Sequence, residues 1–209
     1  AVVRSMSVSA DPDDLALALE LADIADSITL GRFRAADLQV QTKPDLTPVS
    51  EADTAVEQAV RDRLATSRPE DLVVGEELGA STASGGARRW IIDPIDGTKS
   101  FVRGLPSWAT LLALQDGEEM SVAVVSAPAL HRRWWASQDG GAYLDDGLTP
   151  TARRLEVSAV RELDDAQLCF GGFEEWSELE RLDVLLELGA KCWRSRAFGD
   201  FWSYMLVAE

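Results

Sequence analysis

The chain has 209 residues, enough for one large domain or two small ones, and its 46% hydrophobic and 27% charged content is that of an ordinary globular protein. Its 36 acidic against 20 basic residues leave a formal charge of −16, which argues against nucleic acid and against acidic membrane surfaces as partners. One histidine, His131, excludes histidine-rich zinc sites and Ser-His-Asp or Cys-His catalysis unless that single residue serves. Cys169 and Cys192 have neither CxxC nor metal-ligand spacing and suit a reduced, cytoplasmic setting, although two cysteines still allow one disulfide. No apolar run reaches membrane-spanning length, and Ala1 to Asp14 lacks a signal-peptide core.

In chain order, Asp11-Pro12-Asp13-Asp14 predicts a helix start, with an N-cap, proline at the first helical position and acids facing the dipole. Leu15, Leu19, Leu21, Ile24 and Ile28 carry the helical period as far as Gly31. After the polar connection Thr42 to Pro48, Ser50-Glu51-Ala52-Asp53 opens a second helix with Ala55, Val56, Ala59, Val60 and Leu64 facing inward. Asp53 is either the reciprocal half of a capping box with Ser50 or a group kept for chemistry, since aspartate is shorter than the usual Glu or Gln there. Leu72-Val73-Val74 reads as a strand that ends at Gly75-Glu76-Glu77, and Gly79 to Gly86 as a mobile loop of small and polar residues.

The segment Trp90 to Phe101 holds the chemistry. The apolar run Trp90 to Ile92 predicts a buried strand that delivers Asp93 to its end, and Pro94 holds Asp93 extended. Asp96 follows on a turn closed by Gly97 and Thr98, whose N–H groups are placed to bind an anion. Asp93 and Asp96 are turn formers or metal ligands, and Glu76 is a loop glutamate or a ligand. An unpaired carboxylate after so apolar a strand is costly, which favours ligands at Asp93 and Asp96.

From Trp108 onward the pattern is a meander of strands: Trp108 to Leu114, Met120 to Ser126, Arg133 to Ser137 and Gly141 to Leu144. His131 falls on a strand leading into Arg132-Arg133-Trp134-Trp135 and reads as structural. Gly147 to Arg154 is a linker, placing the boundary between an N-terminal α+β domain, 1–150, and the start of an α/β domain, 151–209. There a strand (Gln167 to Phe170), a helix (Glu175 to Leu188), a strand (Lys191 to Ser195) and a helix after Asp200 follow one another. Repeats and low-complexity tracts are absent.

Hard oxygen donors such as Glu76, Asp93 and Asp96 suit Mg²⁺, and two ions could clamp an in-line displacement at phosphorus. Bound cations would also reverse the field by which so acidic a protein repels a phosphate. With no Walker motif, dinucleotide-binding glycine loop or HExxH, an NTPase, a dehydrogenase and a zincin are unsupported.

Gly75-Glu76-Glu77, then Asp93-Pro94-Ile95-Asp96-Gly97-Thr98, with Asp53 upstream in Ser-Glu-Ala-Asp, resembles the inositol monophosphatase family of Mg²⁺-dependent phosphatases, from Leu15 to Glu209. The resemblance implies a layered αβαβα sandwich of mixed α+β and α/β character, with its last elements missing. It implies that Glu76, Asp93 and the Ile95 carbonyl hold a first Mg²⁺, with Asp93 and Asp96 serving a second; a third ion, or Mn²⁺ as a substitute, is compatible. Thr98, hydrogen-bonded to Asp53, would position and deprotonate the attacking water, with Glu76 part of the catalytic set. Asp96 and the Gly97 and Thr98 N–H groups would meet the phosphate, and the leaving alkoxide would take a proton from water. The family takes a further aspartate from a downstream Trp-Asp motif that none of Asp164, Asp165, Asp183 or Asp200 provides, so the chain reads as C-terminally truncated and inactive or poorly stable as a fragment.

Within the family, Thr42 to Pro48, Val125 to Trp135 and Arg196 to Phe201 look most like the actinobacterial histidinol-phosphate phosphatases. Asp200 would pair with the substrate ammonium or N-cap the helix at Phe201, or both. Lys99, Arg103 and Arg196 are phosphate contacts or surface side chains. The alternatives are an inositol-1-phosphate or other polyol phosphatase, and a non-catalytic metal-binding or subunit-interaction protein. The apolar hairpins from Trp108 to Trp135 suit a core or a subunit interface, and the family is commonly dimeric, so a homodimer acting on a small phosphate ester is the expected assembly.

Overall fold

The computed structural model describes residues 12–81 and 88–209. They form two compact units that divide between Arg154 and Leu155. The predicted N-cap at Asp11 and most of the predicted loop up to Gly86 lie outside the described residues.

In the first unit, helices α1 (Pro12–Arg32) and α2 (Glu51–Ser67) pack on a mostly antiparallel sheet. Between them β1 (Val40–Thr42) and β2 (Pro48–Ser50) make a small antiparallel hairpin. The main sheet comprises β3 (Leu72–Gly75), β4 (Gly79–Ala80), β5 (Arg88–Asp96), β6 (Ala109–Asp116), β7 (Glu119–Ala127), β8 (Arg132–Ser137), β9 (Gly141–Asp145) and β10 (Arg153–Leu155). Its order is β10-β9-β8-β7-β6-β5-β3-β4, with β3 and β5 parallel. Gly79 and Ala80 thus form a short strand where a loop is predicted, held by β3 and by the Ser81 N–H on the Val73 carbonyl. Part of the predicted linker also joins the sheet, as β10.

Leu17, Leu21, Val56, Val60 and Leu64 of the helices bury against Trp90, Ile92, Leu112, Leu114, Val122 and Val124 of the sheet. At about 25 cal/mol per Å² of apolar surface, this interlayer is the main source of stability in the unit. The inner face of α2 differs from expectation in two ways. Ala55 is exposed, and the buried stripe instead includes two carboxylates, Asp53 and Glu57. His131 is not on a strand: it ends a 3₁₀ turn, Pro128–Leu130, with φ 55, and is exposed. Pro128 cannot donate to the ladder, so the chain leaves the sheet there before β8.

The second unit pairs β11 (Gln167–Phe170) in parallel with β12 (Arg194–Ala197). The single helix predicted between them is two, α4 (Phe173–Glu178) and α5 (Leu182–Lys191), broken where Glu180 adopts φ 53 and the Arg181 N–H turns back to the Trp176 carbonyl. Because α5 runs on to Lys191, β12 starts three residues later than the strand predicted at Lys191. The chain then enters α6 (Asp200–Ala208) through Gly199 at φ 70. Cys169 and Cys192 are both free thiols. No described helix is long and apolar enough to cross a membrane.

Candidate active site

The corner Asp93 to Thr98 is shaped by a β-bulge. Asp93 pairs with Leu111 and Asp96 with Ala109, so three steps along β5 match two along β6. In a regular strand, residues three apart point to opposite faces; the extra residue brings them to the same side. Pro94, with no N–H to give the ladder, is the residue that tolerates the interruption, and Thr110 Oγ1 donates to its carbonyl at 2.8 Å. Ile95 anchors the bulge in a second core with Ala52, Phe101 and Trp108. The Phe101 and Trp108 rings meet edge to face at 5.0 Å, and Phe33 packs on both.

Gly97 turns the chain at φ 86, a conformation that suits glycine, and its carbonyl accepts from the N–H groups of Ser100 and Phe101. The short helix α3 (Thr98–Val102) starts there. The first N–H groups of such a turn have no partner within the helix.

Asp53 completes the capping box and also faces Thr98. Oδ2 accepts the Ser50 N–H at 2.8 Å and the Ser50 hydroxyl at 2.6 Å, completing the capping box. Oδ1 is left facing Thr98, whose Oγ1 lies 3.3 Å away. The same Thr98 hydroxyl is 2.9 Å from the Ile95 carbonyl, so one proton has two acceptors. Burial raises the Asp53 pKa, against the Ser50 hydrogen bonds that lower it.

Glu76 and Glu77 leave the end of β3, and the Glu76 N–H donates to the Ile92 carbonyl of β5 at 3.2 Å. Their carboxylates share one cation: Lys43 Nζ, from the β1–β2 turn, is 2.8 Å from Glu76 Oε1 and 2.7 Å from Glu77 Oε1. Burial works to lower the Lys43 pKa, but the hydrogen bonds and charges of the two glutamates hold it above the usual lysine range. The only mark of Lys43 in the sequence is a basic side chain in the polar connection before Asp53.

Asp93 carries the largest perturbation. Burial first, then the charges of Glu76 and Asp96, with a hydrogen bond to Glu76 and the charge of Asp53, raise it from 3.8 to about 8. Its Oδ1 is buried without a hydrogen-bond partner. Glu76, Asp93, Asp96, Asp53 and Thr98 are therefore brought together. Lys99 and Arg103 are exposed. Arg196, also exposed, donates to the Ser195 carbonyl in the second unit. Asp200 opens α6 instead of capping it, Gly199 taking the N-cap place, and lines a concavity of about 630 Å³ with Phe170, Gly171, Trp176 and Ser203.

The donors fit a hard divalent cation: carboxylates, a carbonyl in the bulge and an orphaned buried oxygen on Asp93, with Lys43 the counter-charge now drawn to Glu76 and Glu77. With Glu76 turned onto Lys43, the described residues include no ready-made group of three metal-ligating His, Cys, Asp or Glu side chains.

Acidic groups crowded at a bulged strand end, beside the start of a helix, suit a phosphomonoesterase of the metal-dependent type. A sequence model of the inositol monophosphatase family matches residues 12–184, and the chain belongs to that family. It is 55% identical over 201 residues to a histidinol-phosphatase of Streptomyces coelicolor, covering 94% of this chain and 74% of the relative. It is 54% identical over 198 residues to a histidinol-phosphatase of Mycobacterium tuberculosis, covering 94% and 75%. Among solved structures, an inositol monophosphatase from Zymomonas mobilis superposes with a TM-score of 0.77 at 32% identity, covering 96% of this chain and 74% of that one.

Proposed function

We propose that the protein hydrolyses L-histidinol phosphate to L-histidinol and phosphate in the cytoplasm, using Mg²⁺ held by Glu76, Asp93, Asp96 and the Ile95 carbonyl. The observation that carries the metal site is the buried, unpartnered Asp93 Oδ1 among like charges. Substrate choice rests on the two histidinol-phosphatase relatives, more than half identical over most of this chain. A bound divalent cation supplies Lewis-acid polarisation of the phosphoryl oxygens and acidifies water near it.

The chain's own groups supply position and proton handling. The Ile95 carbonyl is among the groups that would hold the cation, and Asp53 Oδ1 is the other acceptor within reach of the Thr98 hydroxyl. As the bond from water to phosphorus forms, the Thr98 oxygen would take a proton from that water while passing its own to Asp53 Oδ1, and the ester P–O bond would break with the histidinol oxygen taking a proton from water. Asp53, kept in place by Ser50, fixes the direction of that relay. Backbone N–H groups of Gly97 and Thr98 are the donors suited to the phosphoryl oxygens, and Asp96 faces the same side of the bulge as Asp93. Little covalent work remains, as expected where positioning and charge dominate phosphoryl transfer.

Histidinol carries an ammonium that inositol phosphates lack. Phosphate release from L-histidinol phosphate and from inositol 1-phosphate tests the substrate. Preference for the amino alcohol ester supports it. A clear wild-type preference for inositol 1-phosphate overturns it.

A further inference from the structure

We propose that Glu57 is a positioning residue for the metal site: from inside α2 it clamps the Gly75-Glu76-Glu77 turn and so sets where the Glu76 carboxylate stands. The proposal rests on the reading of Glu76 as a metal ligand. Glu57 is 0% exposed, an unusual place for a glutamate on a helix that could have offered alanine or valine instead. Its carboxylate is fully engaged. Oε2 accepts the Glu77 N–H at 2.8 Å, and Oε1 accepts the Leu78 N–H at 3.1 Å.

Two successive backbone N–H groups thus close around one buried anion, the arrangement that otherwise binds a phosphate. Arg61, one helical turn on, gives Nε and Nη2 to Oε1 at 2.9 and 2.7 Å, and its Nη2 also reaches the Gly79 carbonyl. Gly75 is glycine because of this contact: a Cβ there would stand 2.0 Å from Glu57 Oε1. The turn therefore carries bonds on both sides of Glu76, to β5 through its own N–H and to α2 through the next two.

Glu57 also lies one helical turn beyond Asp53 on the buried stripe of α2. The same rigid helix thus orients Thr98 through Asp53 and holds the Glu76 turn through Glu57. This fixes the separation between the proton-accepting group and a metal ligand. Without the clamp, the turn keeps the Lys43 contact and the Glu76 N–H bond to β5 but loses its hold on α2.

The test is Mn²⁺ affinity, read by electron paramagnetic resonance on the full-length protein, with amide hydrogen exchange of the metal-free form. Glu57→Gln is expected to raise the Mn²⁺ dissociation constant about 10- to 100-fold. It should also strip exchange protection from the Glu77 and Leu78 amides while the amides of β5 stay protected. A folded Glu57→Gln protein that binds Mn²⁺ within about twofold of wild type, while Glu76→Gln binds more weakly, overturns the proposal. Should Glu57→Gln fail to fold, Gly75→Ala, which pushes on the same carboxylate from the turn, carries the same two outcomes. Unchanged affinity in Glu76→Gln would instead refute the metal-ligand reading itself, and the proposal with it.

Discussion

Without metal, the protein should lose stability as pH rises from about 5 to about 8.5, and Asp93 should be the main reason. The folded state holds the Asp93 carboxyl at about 8 against an ordinary 3.8, because it is buried beside Glu76 and Asp96. Between those values the folded chain keeps a proton that the unfolded chain has released. The corresponding stability is complete below about pH 4 and is lost as pH climbs through about 8. At about 1.4 kcal/mol per pH unit the ceiling is about 6 kcal/mol, and a partly solvated side chain should realise about 2–3 kcal/mol. For a chain of this size that is a fall of about 5–10 °C in Tm.

Thermal denaturation followed by circular dichroism, in chelator, in wild type and Asp93→Asn, reads this directly. The net charge of −16 destabilises both proteins as pH rises, so the decisive quantity is the difference between their slopes. Asn cannot ionise and should remove most of the fall. Mg²⁺ should reverse it, its Tm increment growing with pH because ligands must be deprotonated to bind. Equal slopes in the two proteins, or an Mg²⁺ increment independent of pH, would refute the reasoning.

Three further outcomes follow from the same geometry. Asp53→Asn should lower kcat about 100-fold with KM little changed, through loss of the Thr98 relay, and lower stability by about 1 kcal/mol through the weakened cap; steady-state kinetics and urea denaturation separate the two effects. Gly97→Ala should cost about 1–2 kcal/mol, since φ 86 disfavours a Cβ, and should reduce kcat by moving Thr98; a neutral effect on both would mean the turn adjusts freely. Phe101→Ala should destabilise by about 3–5 kcal/mol, since the ring is 1% exposed and packs on Phe33 and Trp108 beneath the bulge, and chemical denaturation would measure it.

The corner itself was readable from sequence because its constraints are local: an apolar run, a proline, two aspartates and a glycine within a few residues. The capping box at Ser50 and Asp53 was readable for the same reason, and the structure adds that the second oxygen of Asp53 faces Thr98. The bulge was not readable, since it exists only as a mismatch of register between β5 and β6, which lie on different stretches of chain. Glu57 was hidden by its chemistry: a charged residue in a helix reads as surface, and only the Glu77 and Leu78 N–H groups and Arg61 make its burial tolerable. Ala55 was expected inward for the converse reason, apolar character without a partner. Neither the αL residue at Glu180 nor the one at His131 had a glycine to announce it.

The most direct measurement is Mg²⁺-dependent phosphate release from L-histidinol phosphate, in wild type and Asp93→Asn. Release that requires Mg²⁺ and falls about 100- to 1,000-fold in Asp93→Asn is the predicted result. Release that persists in chelator, or proceeds at the same rate when Asp93 cannot ionise, would contradict a metal site built on that corner.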